Sequence, residues 1–277
     1  MQWRLILDKA ACGAWNMAVD EALLLSHAAG DAPPTLRFYD WEPACISIGR
    51  FQETRKAEGG TRNSQQKAVE THHSPLTTHH FDLVRRPTGG RAVLHQHEIT
   101  YCAVVNEALL PCDARSVVGA YRWLSTGLAA GLHTLGVNAV LAKPTPDLSC
   151  RASAQTANCF SSAARCDFLV GEKKLIGAAQ CRKRGVILQH GSLLLEMDGA
   201  AWEAAIGGSM DAVVSLQSLG VTASRPTIIA ALGAGLESTL DISLCEGVLD
   251  AGECTTASRL HREKYTQHAW NHFGDCG

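Results

Sequence analysis

The sequence carries no excess of positive charge: 25 lysines and arginines stand against 27 aspartates and glutamates, for a formal net charge of −2. A general nucleic-acid binder concentrates basic residues on one face, so that balance argues against one. It leaves room for local basic patches that attract an acidic protein partner. Long apolar runs are missing too. No stretch approaches the roughly 18 continuous apolar residues needed to cross a bilayer. The opening Met1-Gln2-Trp3-Arg4-Leu5-Ile6-Leu7-Asp8 is too short for a signal peptide and lacks its cleavage pattern. These absences predict a cytoplasmic protein with no membrane or nucleic-acid partner. There is also no internal repeat, no long low-complexity linker and no Gly-x-x-x-x-Gly-Lys-Ser/Thr phosphate loop.

What is present is the composition of an ordinary globular protein, 46% hydrophobic and 19% charged over 277 residues. That length is near the upper limit for one hydrophobic core. Eleven cysteines raise the question of disulfides. Their odd number, the chain's size and the missing export signal point instead to free thiols, most of them small buried hydrophobes.

Along the chain, a helix is expected from Asn16 to about Ala29, with Asn16 as its N-cap and Ala18, Leu23 and Leu24 on its apolar face. Strand-like runs follow at 36–40 and 45–49, separated by Glu42-Pro43. Residues 54–80 are polar and hold His72, His73, His79 and His80; they read as an exposed loop. The histidine spacing fits no standard metal site, so no metal is expected there. A second strand cluster, 83–105, is interrupted by Pro87-Thr88-Gly89-Gly90, and the longest helix is expected at about 115–135. Two or three strands are expected within 166–197, and a mainly helical part near 199–277. Locally paired strands with helices between and after them predict an α+β fold, a mixed or antiparallel sheet flanked by helices.

Three segments have chemical character. In Arg85-Arg86-Pro87-Thr88-Gly89-Gly90-Arg91 the paired glycines allow backbone N–H groups to approach a ligand, and the arginines suit a carboxylate, a phosphate or an acidic surface. The plain alternative is a hairpin turn. In the strand around Lys174-Leu175-Ile176-Gly177-Ala178-Ala179-Gln180, Lys174 and Ile176 share a side. An inward lysine there needs a ligand or an ion pair; otherwise it snorkels to water from a hairpin end. In Gln189-His190-Gly191-Ser192 a single histidine precedes an apolar strand, which is usually a satisfied structural position.

Taken in order, these segments resemble the lipoate/biotin protein ligase family. Its members carry an Arg-Arg-x-x-Gly-Gly-x-x-x-x-His loop, here Arg85 to His95, then Lys-x-x-Gly-x-Ala-Gln, here Lys174 to Gln180, then Gln-His-Gly-Ser, here Gln189 to Ser192. Flanking segments are similar too, among them Asn16 to Leu23, Leu36 to Trp41, Lys264-Tyr265 and Trp270-Asn271. The resemblance covers nearly all of 1–277 as one catalytic domain, with 54–80 read as an insertion. Within the family, Ala157-Asn158-Cys159-Phe160 is similar to the cysteine-dependent octanoyltransferases, whose nucleophile sits in a Cys-Phe pair; Cys159 lies fifteen positions before Lys174. Lipoate ligases have an Asn-Asp pair there; biotin ligases carry an Arg-rich Gly-Arg-Gly-Arg type loop where this chain has Pro87-Thr88-Gly89-Gly90. The run after Phe160 departs from the Pro- and Tyr-containing run of relatives.

The resemblance implies Cys159 and Lys174 as catalytic, with the ammonium drawing the thiol toward thiolate. It implies substrate contacts from Arg86, Thr88, Gly89, Gly90, His95, Gly177, Ala178, Gln180, Gln189, His190 and Gly191, with loop amides cradling the acyl carbonyl. The implied donor is octanoyl-acyl carrier protein. The implied acceptors are lipoyl domains of 2-oxoacid dehydrogenases or the glycine cleavage H protein, and no cofactor is needed. Two neighbouring readings are an ATP- and magnesium-using lipoate ligase and an octanoyl amidotransferase between lipoyl carrier proteins. Arg182, Lys183 and Arg184 would attract acidic carriers.

Overall fold

The computed structural model describes residues 1–53, 81–142, 167–207 and 210–274. The first half holds β1 (Gln2–Leu7), α1 (Gly13–Ala29), β2 (Thr35–Tyr39), β3 (Cys45–Ile48), β4 (Asp82–Arg85), β5 (Val93–His95), β6 (Glu98–Asn106) and α2 (Val117–Thr134). The second holds β7 (Val140–Leu141), β8 (Phe168–Val170), β9 (Lys173–Lys183), β10 (Val186–Leu194), α3 (Gly199–Ile206), α4 (Arg225–Leu240), β11 (Ser243–Glu246) and α5 (Ala251–Leu260).

Eight strands form one mixed sheet in the order β11-β1-β2-β6-β10-β9-β8-β7, and three form a small sheet, β4-β3-β5. The large sheet is parallel at β11-β1-β2 and antiparallel elsewhere. Helices cover both of its faces, which is why all nine residues of β10 are buried and read as a largely apolar run. The period-two alternation of strands sorts their side chains between two cores. Leu36, Phe38, Ala103, Val105 and Ile187 face a core shared with α2 and α4. Tyr39, Cys102, Val104, Val186 and Leu188 face the core of α1 and α5. By the same alternation Arg37 and His190 fall on the α1 side. Helices α2 and α4 meet through glycine: a Cβ on Gly235 would lie 2.2 Å from the Gly131 nitrogen.

The α+β expectation holds, and the helices at 16–29 and 115–135 and the strands of 166–197 are where they were expected. Three expectations are corrected. Asn16 is not an N-cap. The helix starts a turn earlier at Gly13, and Asn16 is fully buried, donating its amide to the carbonyls of Ala11 and Asp40 at 3.0 and 2.8 Å. The Gly89-Gly90 segment is not a hairpin, because β4 and β5 lie on opposite sides of β3 and the loop crosses its end. The last third is not all helix: β11 joins the large sheet beside β1, and the chain after α5 winds into wide turns at His261–Tyr265 and Ala269–Phe273. The 54–80 insertion lies outside the described residues. Among the described residues no helix is long and apolar enough to cross a membrane, and no group of His, Cys, Asp and Glu is arranged to hold a metal ion.

Candidate active site

A pocket opens between the two sheets and α1. It brings together six of the expected site residues: Arg86 and His95 from the small-sheet side, Gly177 and Ala178 of β9, and His190 and Gly191 of β10. Met17, Trp41 and Ala179 add apolar surface.

Each histidine of the wall is held at both ring nitrogens. His190 Nδ1 lies 3.0 Å from Asp20 Oδ2, and its Nε2 lies 2.6 Å from Thr88 Oγ1. Burial alone would raise the Asp20 carboxyl. The hydrogen bond with His190 and the charge of Arg37 outweigh it and hold Asp20 below its ordinary range. An ionised carboxylate only accepts, so Nδ1 carries the ring proton and Nε2 accepts from the Thr88 hydroxyl. Burial pushes the His190 imidazole down, against the pull of Asp20, and the ring is neutral. Arg37 Nη1 donates to Asp20 Oδ1 at 2.7 Å, Tyr39 donates to Asp20 Oδ2 at 2.9 Å, and Arg37 Nη2 donates to Asn16 Oδ1 at 3.0 Å. His95 repeats the pattern, with Ser47 Oγ at 2.6 Å from Nε2 and Glu98 Oε1 on Nδ1. Its ring stacks on Trp41 at a centroid distance of 3.8 Å.

Both arginines donate to backbone carbonyls around the loop, and Arg86 does so while lining the pocket. Arg86 donates to the carbonyls of Ser47, Gly89 and Arg91 and to Ser47 Oγ. Arg85 donates to the carbonyls of Gly49, Arg50, Gln52, Trp270 and His272. Together they build the loop from behind. The Thr88 carbonyl accepts from the Arg50 amide at 2.7 Å and the Gly89 carbonyl from Arg86, while the N–H groups of Gly89 and Gly90 have no partner among the described residues. Gly49, at the end of β3, leaves room for this crossing: a Cβ there would meet the Gly90 oxygen at 1.9 Å.

Lys174 is buried, with 2% of its surface exposed, and its Nζ lies 2.8 Å from Asp167 Oδ2. The snorkelling alternative is thereby overturned in favour of an ion pair. Lys174 lies outside the pocket lining. Gln180 and Gln189 face each other across β9 and β10 at 3.1 Å, and Gln189 donates to Tyr101 at 3.2 Å; neither lines the pocket. Arg182 is engaged by Glu107 at 2.7 Å.

Cys159 lies outside the described residues, as do Cys150, Cys166 and Cys276. The other seven cysteines are free thiols, and none lines the pocket. Burial pushes the Cys181 thiol up to about 12 and raises those of Cys45 and Cys102 further still. Sequence reasoning missed Asp20, Ser47 and Trp41, whose roles come from partners far along the chain, and Glu98, which meets His95 three positions away and Ser192 across the fold.

The model of the lipoyl protein ligase A/B catalytic domain matches residues 13–236. The chain is similar to octanoyltransferase LipM of Kyrpidia tusciae, 40% identical over 284 residues and 98% of both chains. It is 36% identical to octanoyltransferase LipM of Brevibacillus brevis, again over 98% of each. Among solved structures, a candidate lipoate protein ligase from T. acidophilum with bound lipoic acid superposes with a TM-score of 0.78 at 25% identity, over 98% of this chain and 99% of that one.

Proposed function

The chain belongs to the lipoyl protein ligase A/B catalytic-domain family, and from that premise we propose that it moves an octanoyl group from acyl carrier protein to a carrier-domain lysine through a thioester on Cys159. It is an acyltransferase of protein lipoylation, as its octanoyltransferase relatives are named. The observation that carries the reading is the pocket wall. Gly177, Ala178, Ala179 and Gly191 present backbone and methyl groups opposite Met17 and Val93, a lining suited to a saturated chain.

In the first half-reaction the Cys159 thiolate attacks the carbonyl of the octanoyl thioester. The new carbon–sulfur bond forms as the bond to the carrier's thiol breaks, and that thiol leaves and takes up a proton. In the second half, the ε-amine of a lysine on a lipoyl domain or on the glycine cleavage H protein attacks the enzyme thioester. The amide forms, the amine gives up a proton and the Cys159 thiolate returns. Thioester exchange followed by amide formation requires no ATP and no metal. The N–H groups of Gly89 and Gly90, which have no partner among the described residues, are donors for the oxygen as its charge grows. Lys174 is the cation that favours the thiolate, held in place by Asp167. Because none of the described cysteines lines the pocket, the nucleophile is sought in the segment that ends at Asp167.

The test is intact-mass spectrometry after mixing the protein with octanoyl-acyl carrier protein, without ATP. The expected result is a hydroxylamine-sensitive gain of one octanoyl group, absent in Cys159→Ala. Acylation of a lipoyl domain from free acid, dependent on ATP and unaffected by Cys159→Ala, would replace the transferase with a ligase. Transfer only from one octanoylated lipoyl carrier protein to another, with no adduct from octanoyl-acyl carrier protein, would make the enzyme an amidotransferase.

A further inference from the structure

We infer that Thr88, His190 and Asp20 form a latch that sets the position of the Gly89-Gly90 amides, making His190 a positioning residue for acyl transfer. The inference rests on the transfer reading above and gives Thr88 and His190 a different part from direct substrate contact.

Among the described residues, the loop's backbone carbonyls are held from the small-sheet side. Arg50 donates its amide to the Thr88 carbonyl, and Arg86 donates to the carbonyls of Gly89 and Arg91. Those bonds fix the carbonyl edge but say nothing about where the loop stands relative to β9 and β10, which form the opposite wall of the pocket. Among the hydrogen bonds that residues 87–90 make, Thr88 Oγ1 to His190 Nε2, 2.6 Å, is the one that reaches the large sheet. Thr88 has no exposed surface, so the bond is protected from competing water.

The far end of the latch is anchored deeply. Asp20, on α1, accepts from His190 Nδ1, Arg37 Nη1 and the Tyr39 hydroxyl. Arg37 is in turn held by Asp8 and Asn16. The ring is therefore fixed in plane and in tautomer, with its Nε2 lone pair aimed at Thr88. The groups that act on the charge of His190 are Asp20 from α1, Arg86 from the end of β4 and His95 from β5; the last two oppose protonation. Asp20 is thus the partner that orients the ring, while burial and two neighbours keep it a hydrogen-bond acceptor. Oxyanion donors act only when aimed at where charge develops, so a small drift of this loop costs rate before it costs stability.

The discriminating set is wild type, Thr88→Val and Thr88→Ser. Valine matches threonine in shape and removes the donor; serine restores it. The rate of octanoyl adduct formation is read by intact mass at saturating octanoyl-acyl carrier protein, and the side-chain 15N signals of His190 are read by NMR. The latch predicts a neutral ring protonated at Nδ1, at least a tenfold fall in rate for Thr88→Val together with a moved Nε2 signal, and recovery of both in Thr88→Ser. A wild-type rate in Thr88→Val, no recovery of rate in Thr88→Ser despite a restored Nε2 signal, or a ring charged at pH 7 would overturn it. If the wild type forms no adduct, the transfer reading falls on its own. The three proteins are then compared for octanoate binding, where equal affinity in Thr88→Val and wild type would overturn the latch.

Discussion

Thr88 and His190 are 102 positions apart in the sequence, and hydroxyl oxygen and ring nitrogen lie 2.6 Å apart in the fold. Behind the histidine stands Asp20, and the same order of hydroxyl, imidazole and carboxylate recurs in Ser47, His95 and Glu98 beside the same pocket. Both rings are thereby denied free rotation and offer no unbound nitrogen. The pocket is polar in its frame and largely apolar in its lining, which suits a site that must hold a hydrocarbon chain and still position a reacting carbonyl.

Asp20 and His190 give stability the same dependence on pH. His190 is held below its ordinary value of 6.5, so between that value and its folded value the unfolded chain binds a proton that the folded one does not. Stability is therefore full above about pH 6.5 and falls on acidification. Asp20, held below 3.8, adds a second loss as the pH falls through its folded value. Urea unfolding from pH 7.5 to 5 should show this slope, and His190→Gln should flatten it. Equal slopes for the two proteins would remove His190 as the cause.

Asp20→Asn keeps the shape and removes the charge. Arg37 would retain Asp8, which is partly exposed, but lose its fully buried counter-ion. Breaking one partner of a buried pair costs about 3–5 kcal/mol, and chemical denaturation should find a loss on that order. A loss under about 1 kcal/mol would mean that the Asp8 carboxylate suffices.

Lys174 and Asp167 pose a separable question of structure and catalysis. Lys174→Met removes the cation 2.8 Å from a buried carboxylate and should cost about 3–5 kcal/mol while abolishing acyl transfer. Adding Asp167→Asn should recover much of the stability and none of the activity. If the double variant regains activity, Lys174 is a structural ion-pair partner only.

The legible parts of this molecule are those with local signals. The apolar runs of β9 and β10, the spacing along α2 and the Gly-Gly loop all announce themselves within a dozen residues. What stayed hidden depends on long-range pairing. Asn16 looks like a cap because its type suits one, and only the distant Arg37 and the Asp40 carbonyl make it a buried hub. Whether Lys174 snorkels or pairs turns on Asp167, which the residues next to Lys174 do not reveal. Arg85 and Arg86 carry the charge expected of ligand-binding residues, and their use by backbone carbonyls follows from the crossing of β3 by the loop, which no neighbouring residue reveals. β11 is four residues long and mostly exposed, too short for a periodic signal.

Arg85 ties the chain's closing turns to the site loop. Its guanidinium reaches the carbonyls of Trp270 and His272 on one side and of Gly49, Arg50 and Gln52 on the other, while the Trp270 indole donates back to the Arg85 carbonyl at 2.9 Å. A buried acceptor left without its donor costs about 1–3 kcal/mol, so Arg85→Met should lose on the order of 3 kcal/mol or more. Hydrogen exchange should show faster exchange at residues 265–274 before other segments. Uniformly faster exchange would indicate a global rather than a local role.

The sharpest steric prediction contrasts two glycines, one at the end of β3 and one in the loop that crosses it. A Cβ at Gly49 would lie 1.9 Å from the Gly90 oxygen, and that backbone cannot yield without moving the Gly89-Gly90 loop. Gly49→Ala should therefore displace Gly89 and Gly90, reduce adduct formation by at least a hundredfold and lower the melting temperature. A Cβ at Gly89 meets nothing within 4 Å, so Gly89→Ala should fold with an unchanged melting temperature. Equal melting temperatures for the two variants would mean that the loop has slack at its crossing of β3. In that case Gly49 is no constraint on the position of the amides, and the latch through Thr88 would be left as their main determinant.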